Sequence, residues 1–341
     1  MESARRHRLR ILLIATLLSL ATAEVITRWL LRGNTPAGMV FRDDLLYSYA
    51  PHAQVGDLRL NDIGCIGDSL AERRPEEELV VLLGGSTSFS RRYVEAVHSR
   101  LRRMAPERSF RIFSCGRPRY TSYMNRVQLD EILRRAAPDF VVLYMGINDN
   151  IYNSFPWTGD LPRVGYFDWR SLRTSILFEL LRYHLVDKAW RSTPDFDRDD
   201  LRSPEIFRRN VAAMISAARK AGAQVVLSTF AIGLPTEDQA LASHIEAGEA
   251  RMQHFWGRIE PTRIGVAAHN EVVGRLAAES SLPVADVAGA MPRDGLHFGD
   301  ICHLTPTGEE ILGTQIADAI LVGGPTPTAG AALNESEWSP R

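Results

Sequence analysis

Hydrophobic residues along this chain fall into two kinds of pattern. The first is a single run, Ile11 to Ala23, that carries no charge on any face and follows Arg5, Arg6, Arg8 and Arg10. A segment apolar all round, with a basic start, is predicted to meet a membrane and not to lay one face on a protein core. Two readings stay open. Small residues at Ala21 and Ala23 fit a cleavable signal peptide. Extended from Leu9 to Ile26 the segment has 18 residues, about 27 Å of helix, against a hydrocarbon core of ~30 Å. Glu24 and Arg28 would then reach the far interface and the arginines would stay cytoplasmic. Both readings export the remainder of the chain, and the anchor is favoured for a reason given below.

The second pattern begins at residue 79, where short apolar runs alternate with helical spacings, as in a parallel sheet covered by helices. Leu79–Leu83, Phe110–Phe113, Phe140–Met145 and Val225–Phe230 read as buried strands, and Leu282–Val287 as a weaker fifth. Between them, Arg92–Met104 repeats apolar residues at Tyr93, Val94, Val97, Leu101 and Met104, a helical period. Val127–Ala137 is predicted helical up to Pro138. Helices from Pro204 to Ala221, with Ser203 as N-cap, and from Thr305-Pro306 to about Leu321 follow the same rules. Residues 150–203 and 234–262 interrupt the alternation. The first carries Tyr152, Phe155, Trp157, Tyr166, Phe167 and Trp169, then an amphipathic stretch from about Ser171 to Trp190; the second is polar and mainly helical. Both are expected at the C-terminal ends of strands, where α/β proteins bind ligands, and most of the aromatics are expected simply to cover the sheet edge.

Composition changes this picture little. Of 341 residues 45% are hydrophobic and 24% charged, and 40 Lys plus Arg against 41 Asp plus Glu give a net charge of −1. That balance argues against nucleic acid as a partner. Cys65, Cys115 and Cys302 are too few and too scattered for a disulfide framework or a zinc site. The predicted organisation is 1–32 anchor or signal segment, 33–78 lead-in, 79–322 α/β domain with the two insertions, and 323–341 a disordered tail rich in Gly, Pro, Thr and Ala.

Chemistry is suggested where Val80 to Ser90 reads VVLLGGSTSFS. A buried strand running through Gly84-Gly85 into Ser86 and then a helix places a hydroxyl at the top of the sheet, near a helix N-terminus that favours negative charge. The same turn could be a phosphate loop or a plain connection. A serine nucleophile needs a base, and Asp300-Ile-Cys-His303 offers an imidazole with an acid behind it; alone, such a histidine is more often a solvated loop residue. Gly116 and Asn148 sit at two further strand ends, where each reads singly as a turn residue. Together with the Ser86 amide they could form an oxyanion hole.

In this order, Gly-Gly-Ser86, Gly116, Gly-x-Asn148-Asp and Asp300-x-x-His303 resemble the SGNH/GDSL hydrolase superfamily, over roughly residues 79–322 without the insertions. The resemblance implies a flavodoxin-like three-layer α/β/α sandwich with a mostly parallel sheet. It also implies a serine esterase or acyl hydrolase with catalytic Ser86, Asp300 and His303, an oxyanion hole of Ser86, Gly116 and Asn148, and no metal or organic cofactor. The upstream region, with its basic start, apolar segment ending near Glu24 and strand-like Leu60–Gly64, resembles a membrane-anchored branch. The expected substrate is an acyl ester on a lipid or acylated glycan at the cell envelope. Acyl transfer to a surface polysaccharide and a silent anchored binding module are the alternatives. The letters Gly67-Asp-Ser-Leu70 do not follow a buried strand, so Ser69 is read as a loop serine. Asp294-Gly-Leu-His297 is a second Asp-x-x-His, and His303 is preferred because Leu-Thr-x-x-Gly and the last helix follow it directly. Gly85 stands where the family often has Asp, and Cys115-Gly116-Arg lacks the usual Asn, which leaves the amide donor there open. Cys115 and Cys302 flank site positions; a disulfide between them is open in an exported chain, and free buried thiols are expected.

Overall fold

The computed structural model describes residues 2–32, 38–42, 45, 47–154, 175, 177–178, 181, 200–233, 242–243 and 258–323. The expected aromatic cluster at Phe155, Trp157, Tyr166, Phe167 and Trp169, nearly all of the helices expected at 171–190 and 234–257, and the 324–341 tail lie outside them.

The apolar runs build the parallel part of a six-stranded sheet. Its strands are β1 (Ile66–Gly67), β2 (Glu77–Gly84), β3 (Ser109–Ser114), β4 (Phe140–Tyr144), β5 (Gln224–Ser228) and β6 (Val284–Ala285), ordered β6-β5-β4-β2-β3-β1. Only the edge strand β1 is antiparallel to its neighbour. Both faces are buried, so the central strands need apolar residues at every position and not at alternate ones. Val80, Leu82, Val142 and Tyr144 point to one side, under helices α2 (Arg91–Met104) and α6 (Pro306–Val322). Leu79, Val81, Leu83, Val141 and Leu143 point to the other, under α3 (Ser122–Leu133), α4 (Ser203–Lys220) and α5 (Ile259–Ser280). This is the three-layer α/β/α sandwich. Each aliphatic side chain so enclosed, such as Val97 or Leu312 at 0% exposure, stabilises the fold by about 1.5–3 kcal/mol. Gly313 lets α6 approach α2 closely: a Cβ there would stand 2.4 Å from Ala96 Cβ.

Helix α1 (Glu2–Arg32) precedes the sandwich, and its span Arg5–Leu30 is long and apolar enough to cross a membrane. The lead-in then forms two short hairpins, Met39–Phe41 with Tyr47–Tyr49 and Gln54–Val55 with Leu58–Arg59. Leu60–Gly64, expected as a strand, is a turn. Asn61 Oδ1 accepts the amides of Ile63 and Cys65, and Gly64 takes φ +75°, so the chain reverses there and enters the sheet as β1. Register then decides the cysteines. Ile66 pairs with Ser114 across the antiparallel β1–β3 edge, which sets Cys65 against Cys115, and these two form a disulfide while Cys302 stays a buried thiol. The expectation of three free thiols, and the open pairing of Cys115 with Cys302, are corrected on that ground.

Two helix starts also differ. α3 begins at Ser122, earlier than the spacing suggests, because the Asp149 carboxylate accepts the Ser122 amide and hydroxyl. Ser203 lies inside α4 and does not cap it; its hydroxyl bonds His269 Nε2 at 2.8 Å in the core.

Candidate active site

Parallel pairing of β3, β2 and β4 brings their C-terminal ends side by side, with Leu82 opposite Ser114 and Gly84 opposite Tyr144. The loops carrying Ser86, Gly116 and Asn148 therefore emerge together. After β2 the chain turns through Gly85 into a 3-10 turn, Ser86–Ser88, and Ser90 caps α2 by accepting the Tyr93 amide. The glycines are needed for close approach. A Cβ on Gly84 would meet Tyr144 O at 2.3 Å, one on Gly85 would meet Asn148 Nδ2 at 2.8 Å, and one on Gly116 would meet the Ser88 carbonyl carbon at 2.6 Å.

His303 lies just before α6, which Thr305 caps. Asp300 Oδ1 accepts the amides of Cys302 at 2.9 Å and His303 at 2.7 Å, and Oδ2 bonds His303 Nδ1 at 2.7 Å. One carboxylate thus shapes the backbone turn and orients the ring. An ionised carboxylate only accepts, so Nδ1 carries the proton and Nε2 is left as an acceptor. That Nε2 lies 2.8 Å from Ser86 Oγ. Burial pushes the Asp300 carboxyl up, but the His303 hydrogen bond and charge and the two amides outweigh it and hold it at about 2. A charged Cys302 sulfur, 3.6 Å from Nδ1, and the Asp300 carboxylate each push the imidazolium above the usual histidine range, against its burial, and of the two the carboxylate is the one ionised near neutral pH. Burial itself raises the Cys302 thiol. Asp300, Cys302 and His303 also bring possible metal-ligand atoms within 4.8 Å of one another. A metal taking Nδ1 would displace the Asp300 hydrogen bond, so such occupancy and the Ser–His–Asp arrangement exclude each other.

The two other expected residues are placed differently. Asn148 is 9% exposed, and its Nδ2 donates one hydrogen to Tyr120 O at 3.0 Å, leaving a second hydrogen on the same nitrogen. The single Gly116 N–H donates to Ser114 Oγ through a long 3.3 Å bond, and Ser114 in turn donates to Ser88 O.

Residues that the sequence reading passed over hold this geometry. Asp149 is fully buried and grips the N-terminus of α3, while Asn210 Nδ2 from α4 donates to the same Ser122 hydroxyl at 3.0 Å. Burial lifts the Asp149 carboxyl to about 7, against the Ser122 hydrogen bonds. Asn150 bonds Thr262 O from α5. Arg117 is 1% exposed, donates to Gly116 O and Gly64 O, and lies 5.0 Å from the Tyr49 ring centroid. Tyr49 stacks on Phe89 at 5.4 Å, so the lead-in is locked to the loop that carries Ser86. The signal available in sequence was Asp149 directly after Asn148; nothing in spacing announces Arg117 or Asn210.

Ser69 and His297 are both engaged in bonds within their own turns. The Ser69 hydroxyl serves Asp62, whose carboxylate also accepts the amides of Leu70 and Ala71. His297 Nδ1 bonds Asp294 Oδ1 at 2.6 Å, and Asp294 also accepts the amides of Leu296 and His297. It is a near copy of the Asp300 turn, but the residue is 9% exposed and Thr305 and Gly308 lie against its carbonyl.

Residues 65–311 match the GDSL-like lipase/acylhydrolase family. Among solved structures, a GDSL-like lipase from Bacteroides thetaiotaomicron is similar at 16% identity and a TM-score of 0.45, over 74% of this chain and 92% of that one. A lipase/acylhydrolase from Enterococcus faecalis is similar at 19% identity and 0.43, over 71% and 95%. An acetylxylan esterase from Geobacillus stearothermophilus is similar at 16% and 0.44, over 72% and 93%. No curated protein matches.

Proposed function

The chain belongs to the GDSL-like lipase/acylhydrolase family, and from that premise we propose that it is a serine esterase whose nucleophile is Ser86, with His303 as its base and Asp300 as the group that orients the base. The observation that carries this reading is the unbroken line Ser86 Oγ–His303 Nε2–His303 Nδ1–Asp300 Oδ2, at 2.8 and 2.7 Å. His303 takes the hydroxyl proton as Ser86 Oγ bonds the ester carbonyl carbon. The same proton then passes to the departing alcohol, leaving an acyl-enzyme. Water, deprotonated by His303, attacks the acyl carbonyl and frees Ser86. Charge on the carbonyl oxygen is met by the Ser86 amide and the remaining Asn148 Nδ2 hydrogen. The Gly116 amide joins them when it exchanges its long bond to Ser114 Oγ for the shorter one that a developing oxyanion offers. The residues in these steps supply the nucleophile, the proton transfers and the charge stabilisation without a metal.

The site faces outward from the cytoplasm in this reading, with α1 retained as an anchor. Two features support that placement: the arginines at the start of α1 and the Cys65–Cys115 disulfide, a bond that persists in oxidising compartments. An ester on a lipid or on an acylated envelope glycan is the substrate class this location favours.

The test is labelling of the purified chain by a fluorophosphonate, with release of acid from a short-chain ester measured alongside. Wild type and Ser69→Ala should label and turn over, whereas Ser86→Ala and His303→Ala should do neither. Full turnover by Ser86→Ala would refute the assignment.

A further inference from the structure

Most of α1 is bare of protein contact: Leu9, Leu13, Leu17 and Leu20 are each more than half exposed. Near its end one stripe is covered. Ala23, Glu24, Thr27 and Arg28, spaced to share a helix face, are half-buried, while Val25, Ile26, Trp29 and Leu30 on the other faces are 52–70% exposed. What meets that stripe includes part of the 150–203 insertion. Glu24 Oε1 bonds Arg28 Nε at 2.7 Å, and Glu24 Oε2 accepts both the Ser175 hydroxyl and the Leu177 amide at 2.8 Å. Ser175 Oγ in turn accepts the Phe178 amide at 3.1 Å, which caps the start of a helical turn. Phe178 and Leu181, three apart and so on one face, are 63% and 47% exposed.

Counted from Leu9, Glu24 lies about 23 Å along the axis, near the far boundary of a hydrocarbon layer of ~30 Å. A carboxylate whose oxygens are taken by a guanidinium, a hydroxyl and an amide can occupy that boundary without the full desolvation cost. Its bonds to Ser175 and Leu177 fix the insertion at that boundary, about 7.5 Å along the axis before Trp29, whose aromatic ring favours the headgroup region. Resting on the anchor reading of α1, we propose that Phe178 and Leu181 make a second membrane contact, with the lipid bilayer itself as their partner. The insertion follows the Asn148 loop in sequence, so this contact ties the substrate-facing end of the sheet to the membrane surface.

The experiment uses the full chain in vesicles of phosphatidylethanolamine and phosphatidylglycerol, with the photocrosslinker p-benzoylphenylalanine at position 13, 178 or 104. Met104, 51% exposed, ends α2 at the opposite end of the sheet. Lipid adducts, read by mass spectrometry, are expected at 13 and 178 and not at 104. Glu24→Ala should cut the adduct at 178 by about tenfold, the equivalent of losing one charge-assisted hydrogen bond, without changing that at 13. Adducts at 13 alone would overturn the proposal and leave the anchor standing. No adduct at 13 would overturn both, and equal labelling at 104 would show general adsorption in place of this contact.

Discussion

A serine hydroxyl is a weak nucleophile until a base accepts its proton, so under the proposed mechanism the protonation state of His303 sets the working pH. The imidazole must be neutral to act; a Cys302 thiolate would favour its charged form, but burial keeps that thiol uncharged, and the Asp300 carboxylate is the ionised partner that raises it. Activity should therefore rise with pH along an acidic limb lying above the ordinary histidine value of about 6.5. Asp300→Asn removes the ionised partner of Nδ1. The variant should lose about 10²–10⁴-fold in kcat, the usual range for a positioned general base, and its residual activity should keep an acidic limb moved to lower pH. Cys302→Ala should leave the limb and the plateau nearly where they are, since burial keeps the thiol uncharged over this range. A pH–kcat/KM profile of the three proteins checks this, and an unmoved limb in Asp300→Asn would refute the electrostatic account. The same groups act on stability in opposite windows. His303, raised in the fold, stabilises most below about pH 6.5 and loses that contribution as pH climbs through its folded value. Asp300, held at about 2, contributes above its ordinary value of about 3.9 and loses the contribution as pH falls towards 2.

At the scale of elements, the 3-10 turn Ile147–Asn150 carries the Asn148 amide group, and helices hold the turn. Asp149 ties it to α3 and, through Ser122, to α4; Asn150 ties it to α5. Asn148→Ala should cost about 10²–10³ in kcat, as expected for one oxyanion donor. Asp149→Asn keeps the shape but gives up acceptor capacity toward Ser122, so it should lower kcat by a smaller factor with KM nearly unchanged. If Asp149 acts through Asn148, the double variant should lose no more than Asn148→Ala alone. Full additivity would show that Asp149 does something else. Loss of fold is separable by pH. With its carboxyl lifted to about 7, wild-type Asp149 makes the fold less stable as pH rises from about 4 to about 7, above which the penalty is complete and the slope ends, and Asp149→Asn should flatten that slope in urea titrations.

For the whole molecule, the lead-in is fastened to the sheet at the edge where the site opens. The disulfide joins residues 50 apart, and closing a loop of that length contributes about 4 kcal/mol by chain entropy. Cys65→Ala, or reductant, should lower the unfolding free energy by about 2–5 kcal/mol and free β1, the edge strand beside Gly116 and Arg117. Urea melts with and without reductant, with labelling of Ser86 followed in parallel, measure both effects. An unchanged midpoint would mean that the β1–β3 ladder and Tyr49–Phe89 stacking suffice. Loss of labelling before global unfolding would show that the lead-in holds the oxyanion side of the site.

What the sequence by itself determined is whatever depends on local pattern. Unbroken apolar runs such as Leu79–Leu83 specify strands buried on both faces, and the period of Tyr93, Val97 and Leu101 specifies a helix over one of them. The candidates Ser86, Asn148 and His303 could be picked out because each stands at a strand end or helix start that the chain announces a few residues away. Tertiary structure decided what depends on partners distant in sequence. Asp294–His297 and Asp300–His303 fold into nearly the same turn, and only the path of the chain brings His303 Nε2, and not His297, to Ser86 Oγ. Cys65 met Cys115 because an antiparallel edge strand fixed their register, and no spacing rule could choose between that pair and Cys115 with Cys302. Asp149, Asn210 and Arg117 are buried polar groups whose purpose lies in bonds 27 to 88 residues away. Periodicity reports which face of an element is apolar; it carries no information about which polar group on another element will satisfy it.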